Sequence, residues 1–175
     1  MLQLDGLSGM SNRNEALVIT TGGTIDKVYF DAKSDYEVGE SVVGELLAQA
    51  HVHLPYQIIS LMRKDSLELD DADRALIRQT VIESEHEAIV VTHGTDTMTD
   101  TAKVLADING KTIVLTGSLA PARFAQSDAT FNVGMAFAAA QTLSTGVYIV
   151  MNGQVFDGRH VKKDRSQNRF LSTLA

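Results

Sequence analysis

The chain has 175 residues, of which 44% are apolar, and it carries a formal net charge of -7 with a pI near 5.1. This size suits one domain with a sizeable core, and the acidic balance argues against a nucleic-acid partner because phosphate binding needs a basic face. The absence of cysteine excludes disulfides and thiolate metal sites, and no apolar run approaches membrane-spanning length, so no membrane partner is expected.

Residues 1–15 contain scattered glycines and charges and lack the apolar core of a signal peptide. We expect a flexible N-terminal tail over residues 1–15, with Met10 as an alternative start, followed by a single domain over residues 16–175. The expected location is cytoplasmic, because no targeting segment is recognised.

The first predicted element is a short buried strand. Residues 16–19 (ALVI) are apolar and lead into a turn with two adjacent glycines, Gly22 and Gly23, and then Thr24. Glycines allow a sharp turn and let a ligand approach the main chain closely. Thr24 would then lie at the carboxyl end of a strand, where open α/β sheets bind ligands, so it is a candidate nucleophile. The same pattern is also typical of a plain loop or an anion-binding nest.

Residues 26–37 are charged, carry three aromatic residues and show no consistent period. They predict a loop that closes over the site, mobile without ligand and ordered with it. Its aromatic side chains, Tyr29, Phe30 and Tyr36, could exclude water on closure.

The rest of the chain predicts helices alternating with strands. Helices are expected from residue 39, at 70–84 with Ala75, Leu76 and Val81 facing inward, at 97–107 and at 130–143, and strands at 56–62, 88–92, 112–115 and 147–151. This alternation implies parallel pairing, right-handed crossovers and a three-layer α/β/α domain. A short hairpin is expected through 154–156, and the last ten residues look loosely held.

A second strand end repeats the chemistry of the first. The apolar residues 88–91 (AIVV) run into His93, Gly94, Thr95 and Asp96, so a glycine again precedes a hydroxyl and a carboxylate. Because the carboxyl ends of parallel strands meet at one edge of a sheet, both strand ends could contribute to one site.

Together, residues 21–25 (TGGTI) and 93–98 (HGTDTM) resemble the two signatures of the bacterial-type L-asparaginase family. The resemblance continues in residues 33–39, 65–66 and 157–159 and covers the chain from residue 16 to about 163. It implies a mainly parallel, flavodoxin-like sheet, as in the N-terminal domain of that family. Full-length members continue into a second, smaller domain, so we expect a short-chain asparaginase whose C-terminal domain is absent.

The resemblance also implies roles for particular side chains. Thr24 would attack the substrate amide, and Tyr36 would join it when the loop closes. Thr95 would form a second catalytic arm with Asp96 and with Lys163, which is preferred over its neighbour because of its distance from the segment 157–159. A covalent acyl-enzyme on Thr24 is favoured, although direct attack by a water that Thr95 activates stays open.

The resemblance also implies substrate contacts in the segments 65–66 and 93–98. Ser66 would bind the substrate α-carboxylate, and Thr95 and Asp96 would contact the substrate, with Asp96 pairing with its α-ammonium. Relatives often have glutamine after that serine, where this chain has Leu67, so one contact to the amine is expected to be missing.

No cofactor and no metal are expected. The histidines at 51, 53, 86 and 93 share no metal-ligand spacing with another histidine or acid. Metal chemistry is therefore not predicted from this sequence.

The predicted function is hydrolysis of L-asparagine to L-aspartate and ammonia by a homodimer or small homo-oligomer. One alternative is a relative that acts on another amide, such as L-glutamine. The amidotransferase subunit that feeds ammonia to charged tRNA is set aside because it carries extra domains. A non-catalytic amino-acid binder is disfavoured because binding alone does not require both Thr24 and Thr95, and a nucleotide-binding module lacks a complete phosphate loop.

Overall fold

The computed structural model describes residues 14–31 and 34–174. The predicted tail over residues 1–15 therefore lies outside the described residues except for Asn14 and Glu15. Residues 32 and 33, within the predicted loop, also lie outside them.

The described residues form ten strands and four helices. In chain order these are β1 (Ala16–Gly22), β2 (Lys27–Phe30), β3 (Asp35–Val38), α1 (Val43–Gln49), β4 (Tyr56–Lys64), α2 (Asp71–Glu83), β5 (Ala88–Thr92), α3 (Met98–Leu105), β6 (Thr112–Thr116), α4 (Ala129–Thr142), β7 (Gly146–Met151), β8 (Gln154–Asp157), β9 (Val161–Asp164) and β10 (Arg169–Ser172). Short 3-10 turns cover Thr24–Asp26 and Ser66–Glu68.

The main sheet has six strands in the order β4-β1-β5-β6-β7-β8. The first five are parallel, and β8 pairs antiparallel with β7 as the predicted hairpin. Taken in chain order, the five parallel strands have the order 2-1-3-4-5 of a flavodoxin-like sheet. The predicted fold class is therefore confirmed.

Two apolar clusters cover the two faces of this sheet. Alternate residues of β1 face opposite ways, so that Ala16 and Val18 join one cluster with α1 and α4, and Leu17 and Ile19 join the other with α2 and α3. A strand buried on both faces needs apolar residues at every position, which explains the continuous apolar run at residues 16–19. Within residues 14–31 and 34–174, no helix has the length and apolar character needed to cross a bilayer.

The loop predicted over residues 26–37 is largely a two-stranded hairpin. β2 and β3 pair antiparallel, with Lys27 opposite Val38 and Tyr29 opposite Tyr36. The prediction of a loop was wrong: residues 35–38 (DYEV) alternate polar and apolar, as a half-buried strand does, whereas residues 27–30 (KVYF) do not alternate. The hairpin lies outside the main sheet and is only partly buried. Its β-branched and aromatic residues nevertheless favour extended backbone.

The inner face of α2 also differs from the prediction. Ala75 and Leu76 were expected inside but are exposed, whereas Arg74, Ile77 and Val81 are buried. Asp70 caps the helix as expected, and the Arg74 guanidinium donates a hydrogen bond to the carbonyl of Leu69 at 3.0 Å. An arginine can bury its aliphatic stem while its guanidinium is hydrogen-bonded, so Arg74 lies on the inner face although only apolar residues were expected there.

The last residues are held rather than loose. β10 pairs antiparallel with β9, and Phe170 is buried against Phe156, with ring centroids 6.3 Å apart. The residues just before Phe170 are polar, so no local apolar pattern indicates this packing. The register places Phe170 opposite Lys163, and β9 therefore has a fixed position.

Replacing Phe170 tests this anchoring. We expect Phe170→Ala to lower the free energy of unfolding by about 3 to 5 kcal/mol, because it leaves a cavity in a close-packed cluster. Urea unfolding measures the change. The control Leu174→Ala removes an exposed side chain from the same end of the chain and should cost less than about 0.5 kcal/mol. Equal costs for both variants would contradict the packing role.

Candidate active site

The carboxyl ends of β1 and β5 lie side by side at the centre of the sheet, with Thr20 opposite Thr92. The strand order reverses here, since the chain passes from β1 to the edge strand β4 and then returns to β5 on the other side. Loops leaving such a point diverge and open a crevice, where doubly wound sheets bind ligands. The two predicted motifs both begin at this point.

The loops after β1 and β5 touch through their glycines. A Cβ on Gly23 would lie 2.4 Å from the nitrogen of Gly94, and a Cβ on Gly94 would lie 2.6 Å from the Ser66 Oγ. Gly23 also has φ +87°, a conformation that favours glycine. Only glycine fits at both positions, so Thr24, Ser66 and Thr95 are brought around one contact.

Thr24 begins the 3-10 turn that follows Gly23 and is half-buried. The next residue, Ile25, is fully buried, and its carbonyl accepts a hydrogen bond from the Ala122 nitrogen at 3.1 Å. In the part of the chain that the structure describes, no side chain hydrogen-bonds the Thr24 hydroxyl. The turn is thus fixed while its hydroxyl is available to a ligand.

Thr95, Asp96 and Lys163 form one hydrogen-bonded group. Lys163 Nζ donates to Thr95 Oγ1 at 2.7 Å and to Asp96 Oδ1 at 2.8 Å. The Lys163 side chain is only 8% exposed, so its charge is compensated by the Asp96 carboxylate rather than by bulk water. The structure therefore brings together the three side chains that were predicted as one catalytic arm.

Tyr36 is not joined to this group. It lies on β3 with its side chain 45% exposed, and its ring packs edge-on against Tyr29 and Phe124 at centroid distances of 5.4 and 6.0 Å. Over residues 14–31 and 34–174 no hydrogen bond joins Tyr36 to Thr24. Its movement onto Thr24 during closure stays a prediction.

Ser66 lies in the short turn after β4, with its side chain beside Gly94. It is buried, and its carbonyl accepts a hydrogen bond from Thr97 Oγ1 at 2.7 Å, which ties this turn to the start of α3. Asp65 caps the turn by accepting from the Leu67 nitrogen at 3.2 Å. Leu67 itself is 66% exposed, so it presents an apolar surface beside Ser66.

His93, which immediately precedes Gly94, is buried and hydrogen-bonded through both of its ring nitrogens. Its Nδ1 donates to the Gly94 carbonyl at 2.7 Å, and its Nε2 accepts from the Thr101 hydroxyl at 2.8 Å. Burial lowers the pKa of His93 to about 4, which keeps the ring neutral at neutral pH. Because a trans peptide is planar, holding the Gly94 carbonyl also fixes the direction of the Thr95 N–H.

Comparison with known proteins decides the family. The model of the asparaginase N-terminal domain matches residues 15–171. The chain belongs to the asparaginase family. The predicted resemblance is thereby confirmed for the N-terminal domain.

Related proteins cover several activities. The chain is 32% identical over 161 residues to L-asparaginase 2 of Escherichia coli, covering 83% of this chain and 45% of that protein. It is 28% identical to the glutaminase-asparaginase of Acinetobacter glutaminasificans, covering 86% and 50%. It is also 30% identical to a subunit of the glutamyl-tRNA(Gln) amidotransferase of Methanococcus vannielii, covering 83% and 36%.

Solved structures show the same similarity in three dimensions. The L-asparaginase of Thermococcus kodakarensis superposes with a TM-score of 0.78 at 28% identity, covering 90% of this chain and 51% of that chain. A probable cytoplasmic L-asparaginase of Campylobacter jejuni gives a TM-score of 0.76 at 25% identity, covering 90% and 52%. The chain thus spans about half the length of these asparaginases.

The length of this chain does not exclude a role as the amidotransferase subunit. This asparaginase-family chain covers 36% of the amidotransferase protein and only 45 to 50% of the asparaginase and glutaminase-asparaginase relatives, so all three matches are partial. The comparisons therefore do not support an exclusion based on extra domains, and a role as an amidotransferase subunit stays a candidate.

Sequence reasoning missed one charged neighbour of the site. Arg165 Nε lies 3.8 Å from Asp96 Oδ1, so the Asp96 carboxylate faces two cations. Arg165 directly follows β9, in the turn before β10, and no local pattern in the sequence indicates its contact with Asp96. Across the described ranges no group of three or more histidine and acidic side chains is arranged to hold a metal ion.

The buried His93 predicts a pH dependence of stability. Its folded pKa of about 4 is below the ordinary value of 6.5, so its stabilising effect is complete above pH 6.5 and is lost as the pH falls toward 4. Between about pH 7 and about pH 5 this loss is on the order of 2 kcal/mol. Urea unfolding across this range should show a smaller decline for His93→Gln, whereas the exposed control His53→Gln should match the wild type.

Proposed function

We propose that this chain is an amidohydrolase that converts L-asparagine to L-aspartate and ammonia through the nucleophile Thr24, without a cofactor. The observation that carries the proposal is the Lys163 amine, held at 2.7 Å from Thr95 Oγ1 and 2.8 Å from Asp96 Oδ1. This group lies across the contact of Gly23 and Gly94 from the Thr24 turn. Two hydroxyls and one buried amine near the carboxyl ends of β1 and β5 can supply the nucleophile and the proton transfer that amide hydrolysis requires.

In the proposed first step, Thr24 Oγ1 attacks the side-chain amide carbon. The carbon–nitrogen bond breaks, and ammonia leaves with the proton that the hydroxyl loses, so an aspartyl ester remains on Thr24. In the second step, water attacks the ester carbon, the bond between that carbon and Thr24 Oγ1 breaks, and L-aspartate leaves while a proton from the water returns to Thr24 Oγ1. We assign Thr95, Asp96 and Lys163 to proton transfer, since hydrogen bonds join the three side chains and a proton can move along them.

Tyr36 is proposed to join Thr24 when the hairpin closes. A hydroxyl at that point could pass the proton of Thr24 toward the leaving group. The covalent route is preferred over direct attack by a water that Thr95 activates. Acid quenching during turnover separates the routes, because only the covalent one adds the mass of an aspartyl group to the protein.

Substrate binding is proposed to involve Ser66 for the α-carboxylate and Asp96 for the α-ammonium, beside Thr95. The Asp96 carboxylate already faces the cations Lys163 and Arg165, and their positive charges weaken its attraction for a substrate ammonium. L-glutamine is kept as an alternative substrate because a glutaminase-asparaginase is among the relatives. A role as an amidotransferase subunit and non-catalytic amino-acid binding are also kept as candidate functions.

An ammonia-release assay with purified protein discriminates among these functions. L-asparagine, L-glutamine and dipeptidyl amides are compared side by side, and the proposal expects the highest kcat/KM with L-asparagine. A higher value with another amide would assign that substrate. Absence of release from every amide, together with calorimetric binding of L-aspartate, would support non-catalytic binding.

We also propose a cytoplasmic homodimer or small homo-oligomer. A similar structure is described as a probable cytoplasmic L-asparaginase, which supports the location. Light scattering of the purified chain measures the oligomeric state directly.

Replacing the proposed nucleophile tests the central assignment. We expect Thr24→Val to lower kcat for asparagine by a thousandfold or more, since it keeps the shape and removes the hydroxyl. The control Thr130→Val alters an exposed threonine on α4 and should leave kcat unchanged. Thermal melts establish that both variants fold. If Thr24→Val retained more than about a tenth of the activity, Thr24 would not be the nucleophile.

The second arm is tested by a double-mutant cycle. Thr95→Val and Lys163→Met should each reduce kcat nearly as much as Thr24→Val, and the double variant should be little worse than either, because groups that act as a unit are not additive. Lys162→Met is the matched control, since that lysine is adjacent and exposed. Additive losses would instead indicate separate roles.

A further inference from the structure

A buried carboxylate that the proposed reaction does not use lies two residues after Thr24. Asp26 ends the 3-10 turn Thr24–Asp26 and is only 1% exposed. Burying a charged group is costly unless hydrogen bonds compensate it. The partners of Asp26 therefore indicate what the position requires.

Asp26 holds three backbone segments together. Its Oδ1 accepts a hydrogen bond from the Val42 nitrogen at 3.0 Å, and its carbonyl accepts one from the Gly39 nitrogen at 2.9 Å. Its own nitrogen donates to the Gly23 carbonyl at 3.2 Å. Asp26 thus connects the glycine turn, the base of the β2–β3 hairpin and the start of α1.

The bond to Val42 satisfies a need of α1. Val42 is the N-cap residue of this helix and has no side chain that can cap it, so its first N–H groups need acceptors from elsewhere. The Val42 nitrogen finds its acceptor 16 residues earlier in the chain, in Asp26. Removal of the Asp26 carboxylate would leave a buried donor without a partner, which is unfavourable.

The charges around Asp26 do not explain its position. Burial raises the pKa of Asp26, while hydrogen bonds from Val42 and Ser41 and the more distant cations Arg123 and Arg63 oppose that rise. The two arginines face carboxylates of their own, Glu45 at 3.9 Å and Glu40 at 3.1 Å. No cation within residues 14–31 and 34–174 forms an ion pair with Asp26, so hydrogen bonds from uncharged groups hold its side chain.

We propose that Asp26 is a positioning residue, whose side chain fastens the Thr24 turn to α1 and so keeps the Thr24 hydroxyl in place. The hairpin that carries Tyr36 begins directly after Asp26, and its base is closed by the bond between Asp26 and Gly39. Asp26 is therefore the hydrogen-bonded junction between the Thr24 turn and the hairpin. The kinetic consequence rests on the proposed function, and the structural one does not.

Three variants test the inference. Asp26→Ala removes the acceptor, Asp26→Asn keeps an oxygen that can accept from Val42, and Asp31→Ala removes an exposed carboxylate from the same hairpin. We expect Asp26→Ala to lower kcat for asparagine by about tenfold to a hundredfold with KM changed by less than about threefold, because small displacements of a nucleophile slow the chemical step. Asp26→Asn should recover kcat to within about threefold of the wild type, and Asp31→Ala should match it.

Hydrogen–deuterium exchange supplies a measurement independent of activity. Peptides covering Gly39 and the start of α1 should exchange faster in Asp26→Ala than in Asp26→Asn, Asp31→Ala or the wild type. Thermal melts identify the temperature at which every variant is folded, and all assays are run there. A merely structural residue would lower the melting temperature without changing kcat of the folded enzyme.

Three outcomes would contradict the inference. An unchanged kcat in Asp26→Ala, or an unchanged exchange rate around Gly39 and Val42, would show that the carboxylate does not position the turn. Equal damage from Asp26→Asn and Asp26→Ala would show that charge matters rather than the hydrogen bond. If the wild type released no ammonia from any amide, the proposed function would fail, whereas the exchange experiment would still decide whether Asp26 fixes the turn.

Discussion

The close contact between the backbones at Gly23 and Gly94 is the constraint on which the candidate site depends. Parallel pairing of β1 and β5 brings their carboxyl ends together, and only glycines allow the two loops to meet. Thr24 and Thr95 each follow one of these glycines directly. A side chain at Gly23 would push the two loops apart, and one at Gly94 would displace Ser66, so the geometry of the site follows from backbone packing.

A second requirement is met from far along the chain. Lys163 is 68 residues from Thr95, and it reaches the site because β9 is paired with β10 and Phe170 packs beneath it. A buried lysine is tolerated when its charge is paired and its donors are satisfied, and Asp96 and Thr95 supply both conditions. The C-terminal hairpin is thus part of the site and not an appendage of the fold.

The two walls of the crevice are supported by buried polar groups. On the β5 side, neutral His93 holds the Gly94 carbonyl, and on the β1 side Asp26 connects the Thr24 turn to α1. Each side chain makes one hydrogen bond to the backbone of the segment that it positions, which suits a role in geometry more than in proton transfer. The exposed hairpin above them, with Tyr36 packed on Tyr29 and Phe124, has few such constraints.

The sequence by itself determined the alternation of strands and helices along the chain, the two glycine motifs, the family and the candidate side chains at the strand ends. These features are local, because continuous apolar runs and adjacent glycines have the same meaning wherever they occur. Only the tertiary structure decided that residues 27–30 and 35–38 pair as a hairpin, that Arg74 and not Leu76 faces the core, and that β10 holds β9. It also decided the neighbours of Asp26 and Asp96, because those contacts join residues distant in sequence, and no local pattern records which distant backbone N–H or cation a carboxylate will meet.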